Sequence, residues 1–305
     1  MAVPHLTTAL SGPILALEKR ILEAMPAIEH WLRGKWQQHT IPFYCSVDLR
    51  NSGFKLAPVD TNLFPGGFNN LNTDFLPLCV QAMMAAVEKI CPEAHSILII
   101  PESHTRNIYY LQNVHVLERI MRHAGLNIRI GSLIPEITEP TPINLPDGNT
   151  LLLEPIVRKG NRLSVGNFDP CAILLNNDLS SGIPDSLKNL DQIIIPPIHA
   201  GWTTRLKSQH FTAYDRVAQE FAELIGIDTW LINPYFNSCG KIDFHEEKGV
   251  DCVAATVDEI LSNIKEKYTQ YGVKEEPFVI VKADAGTYGM GIMTVKDGEI
   301  GRAHV

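Results

Sequence analysis

A lysine followed by a run of glycines between two apolar stretches is where chemistry can first be read in this chain. In PFVIVKADAGTYGMGIMTVKDG (277–298), residues 278–281 and 292–295 are apolar, β-branched and strand-like. Between them stand Lys282, Asp284, Gly286, Thr287, Tyr288, Gly289 and Gly291. Glycine has no Cβ, so such a loop can turn several backbone N–H groups onto one anion. Lys282, at the strand end, adds a point charge for the same phosphate. Thr287 offers a hydroxyl, and Tyr288 a ring that can cap the loop. The segment reads as a clamp for a nucleoside triphosphate, and the chain as a ligase or kinase. A dinucleotide fingerprint would run from GxGxxG into a helix, and a Walker loop needs GxxxxGK[ST]; neither pattern is present. The plainer reading is a β-hairpin with a pliant tip. A hairpin needs only a two-residue turn, however, so a longer loop has something to cover.

Three other segments gather polar groups around expected strand ends. In 47–70 (VDLRNSGFKLAPVDTNLFPGGFNN), Arg50, Asn51, Asp60, Asn62, Asn69 and Asn70 surround a Pro65-Gly66-Gly67 turn. Arg50 suits a carboxylate gripped in a fork, and Asp60 or Asn62 suits an ammonium group. The segment is expected to follow a strand of an α/β sheet, where ligands collect beyond the carboxyl ends; alternatively its Asn and Asp residues only make turns. PESHTRN (101–107) places Glu102, His104, Thr105, Arg106 and Asn107 between a buried strand and a helix. Thr105, Arg106 and Asn107 could hold a second carboxylate at that helix N-terminus, or Ser103 or Thr105 could simply cap it. His104 reads as a hydrogen-bonded loop residue. In 196–211, His199, Trp202, Arg205, Lys207 and His210 come together, with Arg205 and Lys207 suited to nucleotide phosphates or a substrate carboxylate. The alternative there is a surface helix capped by Ser208. Asn176, Asn177 and Asp178 also follow a buried strand.

KADAGTYGMGIM (282–293) resembles the phosphate-covering loop of the ATP-grasp superfamily. With FPGGFNNL (64–71), PESHTRN and PPIHAGWTTRLKSQHF (196–211), the chain is similar to the ATP-grasp glutamate–cysteine ligases of proteobacteria, from about residue 10 to 299. The resemblance implies an ATP-dependent ligase that activates the γ-carboxylate of glutamate as an acyl phosphate and joins it to the amine of cysteine. Such chemistry needs positioning, charge neutralisation and exclusion of water, and no protein nucleophile. It implies Lys282 and Arg205 in the catalytic role and Lys282, Asp284, Gly286, Thr287, Tyr288, Gly289, Gly291 and Lys207 around ATP. Arg50, Asn51, Asp60, Asn62, Asn69, Asn70, Glu102, Thr105, Arg106 and Asn107 would then serve the amino acid substrates. Mg²⁺ would screen the phosphates. Its ligands in the superfamily come from strands after the loop hairpin, so they are expected beyond this chain, which should turn over negligibly. Another ATP-grasp ligase, such as a glutathione synthetase, and a non-catalytic domain binding a nucleotide or amino acid are the competing readings.

The elements that must position these groups are legible in outline. Residues 13–37 have helical periodicity broken at Pro26; 43–49 reads as a strand and 73–91 as a helix capped by Thr73 or Asp74. A strand at 96–100, a helix at 106–124 and a strand at 127–130 follow. The alternation predicts a parallel sheet covered on both faces. Residues 134–170 are proline-rich, with loops and short hairpin strands. Strands at 172–175 and 192–195 lead to Pro196-Pro197, then helices at 208–225 and 254–270. The expected organisation is α/β: an N-terminal substrate-binding domain of the pre-ATP-grasp kind over 1–197, then an incomplete ATP-grasp domain over 198–299. IGRAHV (300–305) can be encoded by a common sequencing adapter and is expected to be a non-native tail.

Composition narrows the function classes. With 305 residues, 45% hydrophobic and 20% charged, the chain is globular. A net charge of −8 argues against a general nucleic-acid surface, and local cations in an acidic chain suit small anions. Six cysteines without a CxxC pair point to free thiols in a reducing compartment. There is no membrane-length apolar run and no signal-like N-terminus. The expectation is a soluble, cytoplasmic enzyme of small-molecule substrates (glutamate, cysteine and ATP), with no nucleic acid or membrane partner; an oligomer is compatible with it.

Overall fold

The computed structural model describes residues 12–103, 106–244, 246–285 and 292–298. In chain order the elements begin with α1 (Pro13–Glu23), α2 (Met25–Gln38), β1 (Ser46–Asn51), β2 (Leu56–Asn62), α3 (Leu76–Ile90), β3 (Ser96–Pro101), α4 (Ile108–His123) and β4 (Asn127–Ser132). They continue with β5 (Thr141–Asn144), β6 (Thr150–Pro155), β7 (Val157–Lys159), β8 (Arg162–Ser164), β9 (Ala172–Asn176) and β10 (Ile193–Ile195). The last are α5 (Lys207–Ile225), α6 (Val250–Tyr271), β11 (Val279–Val281) and β12 (Met293–Val295). Contacts group Met1–Thr40, Val47–Asp60 and Arg205–Val305 as a first compact unit, and Ile41–Ser46 with Thr61–Thr204 as a second. This division is not the single cut after residue 197 expected from Pro196-Pro197. The N-terminal helices group with the C-terminal segment, a long-range association that local sequence cannot announce.

The second unit is built on one six-stranded sheet of order β10-β9-β3-β4-β6-β5. β10, β9, β3, β4 and β6 run parallel, and β5 closes the edge antiparallel to β6. The expected parallel sheet is therefore mixed, because the proline-rich segment folds its Asp147-Gly148-Asn149 hairpin into the sheet. The central strands are apolar throughout because both faces are covered. Ile97 and Ile99 of β3 face a cluster with Met83 and Val87 of α3 and Leu111, Val114 and Leu117 of α4. Leu98 and Ile100 face the opposite cluster, where Phe64, Leu163, Val165, Leu187 and Ala200 supply the cover from loops, short strands and 3-10 turns instead of α-helices. The helix predicted at 73–91 starts later, at Leu76. Its entry is a 3-10 turn whose cap is Asn72, accepting from the Asp74 amide, and not Thr73 or Asp74.

The first unit holds α1, α2, the β1–β2 ribbon, α5, α6 and the β11–β12 hairpin. α2 and α5 meet through an ion pair of Lys35 and Glu220 and an edge-to-face contact of Trp31 and Phe221 with centroids 5.7 Å apart. Val253, Val257 and Leu261, four residues apart on α6, form a small core with Ile242, Val279, Val281, Met293 and Val295. The strand expected at 43–49 lies at 46–51 and pairs only with β2, with nearly all its residues exposed. Arg50 and Asn51 therefore do not follow a buried sheet strand; they lie on an exposed ribbon.

At the turn of that ribbon, Phe54 stacks on Trp230, and Lys55 Nζ sits 4.5 Å above the Trp230 ring while donating to the Asn233 carbonyl at 2.8 Å. Burial pushes the Lys55 ammonium down to about 8, against the pull of Asp228. The unfolded chain then binds more protons than the folded one between pH 8 and 10.5, so this group makes stability rise with pH across that window. Lys55→Met is expected to flatten the rise in chemical denaturation between pH 8 and 10; an unchanged slope would remove Lys55 as its source.

Candidate functional site

In the first unit, the cations of the loop hairpin and of α5 come together at the start of α5. Lys282 immediately follows β11, and Asp284 lies two residues further on. The Lys207 amide donates to the Asp284 carbonyl at 3.0 Å. The Asp284 carboxylate accepts from the Ser208 amide at 2.7 Å and from its hydroxyl at 2.8 Å. The helix has no side-chain cap of its own from Leu206. Asp284 thus fills the capping role from 76 residues away, on N–H groups that helix geometry leaves without intrahelical partners. Ser208, expected as the cap, is instead the group that receives it.

Charges crowd around this junction. Burial lowers the Lys207 ammonium, the nearby charge of Lys282 lowers it further, and Asp60 and Asp284 oppose them. Burial also lowers Arg205, again countered by Asp60. His210, one turn into α5, is depressed by burial first and then by Arg205, with Asp60 pulling the other way. Its ring meets Phe211 with centroids 5.3 Å apart and stacks near Tyr214 at 6.4 Å. Three cations, Arg205, Lys207 and Lys282, thus stand in a neighbourhood that holds Asp60 and the Asp284 carboxylate already engaged as a cap.

In the second unit, the chain leaves β3 through α4 for β4 on one side, while β9 lies on the other. The carboxyl ends of β3 and β9 therefore flank a topological switch point, the usual place for a ligand in such a sheet. Glu102, Arg106 and Asn107 follow β3, and Asn176, Asn177 and Asp178 close β9. Asn176 is 1% exposed and fully used. Its Oδ1 accepts from Tyr110 Oη at 3.1 Å and Asn113 Nδ2 at 3.3 Å, and its Nδ2 donates to Tyr44 Oη at 3.3 Å and the Pro65 carbonyl at 2.9 Å. Tyr110 also donates to the Asn176 carbonyl and accepts from the Glu102 amide. Burial raises both tyrosines well above the ordinary phenol range. The network fixes the floor of the crevice and leaves Asn176 no capacity for a ligand.

The remaining expected residues divide between the units. Asn51 Oδ1 accepts from the Gly53 amide and Asn62 Oδ1 from the Phe64 amide, so both side chains make turns. Asn69 and Asn70 sit on a 3-10 turn that starts at Phe68, whose amide donates to Asn113. Asn107, not Ser103, caps α4 by accepting from the Tyr110 amide. Arg50 and Arg106 are exposed and Glu102 is half-buried. Arg50, Asn51 and Asp60 belong to the first unit and Asn62, Asn69 and Asn70 to the second. Thr105, Gly286, Thr287, Tyr288, Gly289 and Gly291 lie outside the described residues, as does His104. Tyr44, Tyr110 and Asn113 were not anticipated. Only Asn113 carried a signal, as a polar residue in the apolar register of Leu117 and Ile120.

Among the described residues, no group of three or more His, Cys, Asp or Glu side chains could hold a metal ion. Of the two carboxylates by the cations, Asp284 is taken as a cap, so the described residues do not fit Mg²⁺. No described helix is long and apolar enough to cross a membrane.

Comparison with known proteins adds two findings. The profile of the family described as glutamate–cysteine ligase matches residues 18–302. A crystal structure of a candidate γ-glutamylcysteine synthetase from Methylobacillus flagellatus KT is 66% identical, with a TM-score of 0.93 over 100% of this chain and 72% of that one. No curated protein matches in the sequence comparison.

Two measurements check the two sites. Asn176→Ala strips partners from four buried groups and is expected to cost about 3 kcal/mol of unfolding free energy; a loss within 0.5 kcal/mol, as at about any plain surface site, would contradict the network. His210 should titrate below its ordinary 6.5 by NMR, and Asp60→Asn should lower it further by removing the carboxylate that supports the imidazolium. An upward move would show that Asp60 does not face it.

Proposed function

The chain belongs to the glutamate–cysteine ligase family, and on that premise we propose that the cationic junction of α5 and the loop hairpin is where it handles ATP. The family makes it a ligase that joins glutamate to cysteine, the first step of glutathione synthesis. The competing assignments as a glutathione synthetase or a non-catalytic binding domain lose their support to that membership. ATP supplies the phosphoryl group that turns the glutamate γ-carboxylate into an acyl phosphate; the cysteine amine then attacks the acyl carbon and inorganic phosphate departs. The resemblance of 282–293 to the ATP-grasp loop supports this reading of the hairpin.

The observation that carries the proposal is the electrostatic conflict at the start of α5. Burial lowers the Lys207 ammonium and the nearby charge of Lys282 lowers it further, against Asp60 and Asp284, and a polyphosphate held beside Lys207 offsets that loss. Lys282 and Lys207 hold phosphate oxygens as point charges, while Arg205 stabilises charge on the group in transfer. The resemblance assigns Gly286, Thr287, Tyr288, Gly289 and Gly291 to the phosphates, where exclusion of water protects the acyl phosphate. Asp284 is a positioning residue: it fixes the loop's base to the helix that carries Lys207. Asp60 holds Arg205 and faces His210. For the amino acids, Arg106 at the crevice of the second unit suits a carboxylate and Glu102 an ammonium, with Arg50 a second carboxylate grip on the first unit. Asn51, Asn62, Asn69, Asn70, Thr105 and Asn107 shape the loops around these grips. Six free thiols and small-molecule substrates support a reducing, cytoplasmic setting.

ADP release with glutamate and cysteine, together with direct nucleotide binding, tests the assignment. Lys282→Ala and Lys207→Ala are each expected to weaken ATP binding roughly 10- to 100-fold, the loss of one charge-assisted contact. Nucleotide affinity unchanged in both variants would overturn it. Release of ADP with γ-glutamylcysteine and glycine, but not with glutamate and cysteine, would return the glutathione synthetase reading.

A further inference from the structure

Cys239 and Cys252 are separated by 13 residues, yet their sulfurs lie 3.0 Å apart. A disulfide needs about 2.05 Å, so roughly 1 Å of side-chain movement joins them. The intervening loop is closed on itself: the Asp243 and Lys248 amides and carbonyls exchange hydrogen bonds at 3.0 and 2.9 Å. Gly249 then turns the chain into α6 with φ +77°, where a Cβ would strike Ile242 at 2.7 Å. Cys252 sits in the first turn of α6 and is exposed, while Cys239 is half-buried and packs on the Val253, Val257 and Leu261 core. The hydroxyl of Thr256, one turn along α6, lies 3.4 Å from the Cys239 sulfur. β11 and β12 pack on that same core, so Cys239 and the hairpin that carries Lys282 share it.

We propose that Cys239 and Cys252 form a redox-active dithiol that low-molecular-weight disulfides oxidise to an intramolecular disulfide, fastening the 239–252 loop across the first turn of α6. The exposed Cys252 thiolate attacks one sulfur of the disulfide RSSR and releases one thiolate. Cys239 then attacks the Cys252 sulfur of the mixed disulfide and releases the second. Two protein thiols are oxidised, one RSSR is reduced to two RSH, and the two thiol protons pass to the leaving thiolates. The proton that Cys252 shares with Cys239 raises the Cys252 thiol above its ordinary value, so the first step speeds up with pH. The ligase reading adds a source for the reactant, because a γ-glutamylcysteine product is itself a thiol whose oxidised form is such a disulfide. The dithiol stands without that reading.

Thiol counting on the full chain tests the proposal without any activity measurement. Incubation with glutathione disulfide should reduce the alkylatable cysteines from six to four, 6 − 2. Peptide mapping should join Cys239 to Cys252, and dithiothreitol should restore all six. A count that stays at six, a stable mixed disulfide on the wild-type chain, or a crosslink through other cysteines would overturn it. Cys239→Ser should stop at a persistent glutathione adduct on Cys252, and absence of that adduct would remove Cys252 as the entry thiol. In the oxidised form, amide exchange of residues 279–281 and 293–295 should slow relative to the reduced form. Identical exchange in the two forms would overturn the link to the hairpin.

Discussion

The carboxylate of Asp284 rests on the first amide of α5 past Lys207, and the candidate phosphate site of the first unit depends on that contact. A helix of 19 residues leaves its leading N–H groups without partners, and here a strand-end carboxylate from far along the chain supplies them. The consequence is geometric before it is electrostatic. Lys282 and Lys207 arrive on separate elements, and the cap holds those elements at a fixed separation. The crowding of like charges then follows from the cap, because without it two lysines on different elements would drift apart in solvent.

The second unit reaches its own rigidity by a different route. Tyr44, Tyr110, Asn113 and the Pro65 carbonyl converge on one buried amide at the end of β9. The partners come from three segments, Tyr110 and Asn113 both from α4, so the loops bearing Tyr44 and Pro65 are fixed to that helix as well as to the sheet. Satisfied polar networks of this kind specify geometry, since any shift leaves a buried donor or acceptor unpaired. The amide at the end of β9 is accordingly structural, while Glu102 and Arg106 follow β3 on the loop beside it. Placing a rigid floor under polar, loop-borne side chains is how a sheet offers a binding site without spending its core residues on the ligand.

Chemistry and redox character meet in the small core of α6. Three apolar side chains carry the β11–β12 hairpin, and a pair of thiols closes the loop beside them. So small a core makes the hairpin sensitive to whatever stiffens its neighbours. The thiol pair and the two hairpin strands therefore share one small core.

Much of this molecule was legible in its residues. The apolar runs of β3, β9 and β10, the α3 and α4 registers and the two strands of the loop hairpin follow from periodicity, because side-chain burial repeats with backbone geometry. The cations Arg205, Lys207 and Lys282 were equally visible as chemical types, and the motifs around them carried the resemblance to the family that the comparisons then matched. What the residues could not state was partnership over long separations. That α1 and α2 group with α5 and α6, that β1 pairs outside the main sheet, that a proline-rich hairpin joins its edge, and that Asp284 caps a helix 76 residues away are decided by contacts between segments. Local propensity has no access to such contacts, since each segment's pattern satisfies many pairings equally well. Only the collapsed chain, where every buried polar group must find a specific partner, selects one.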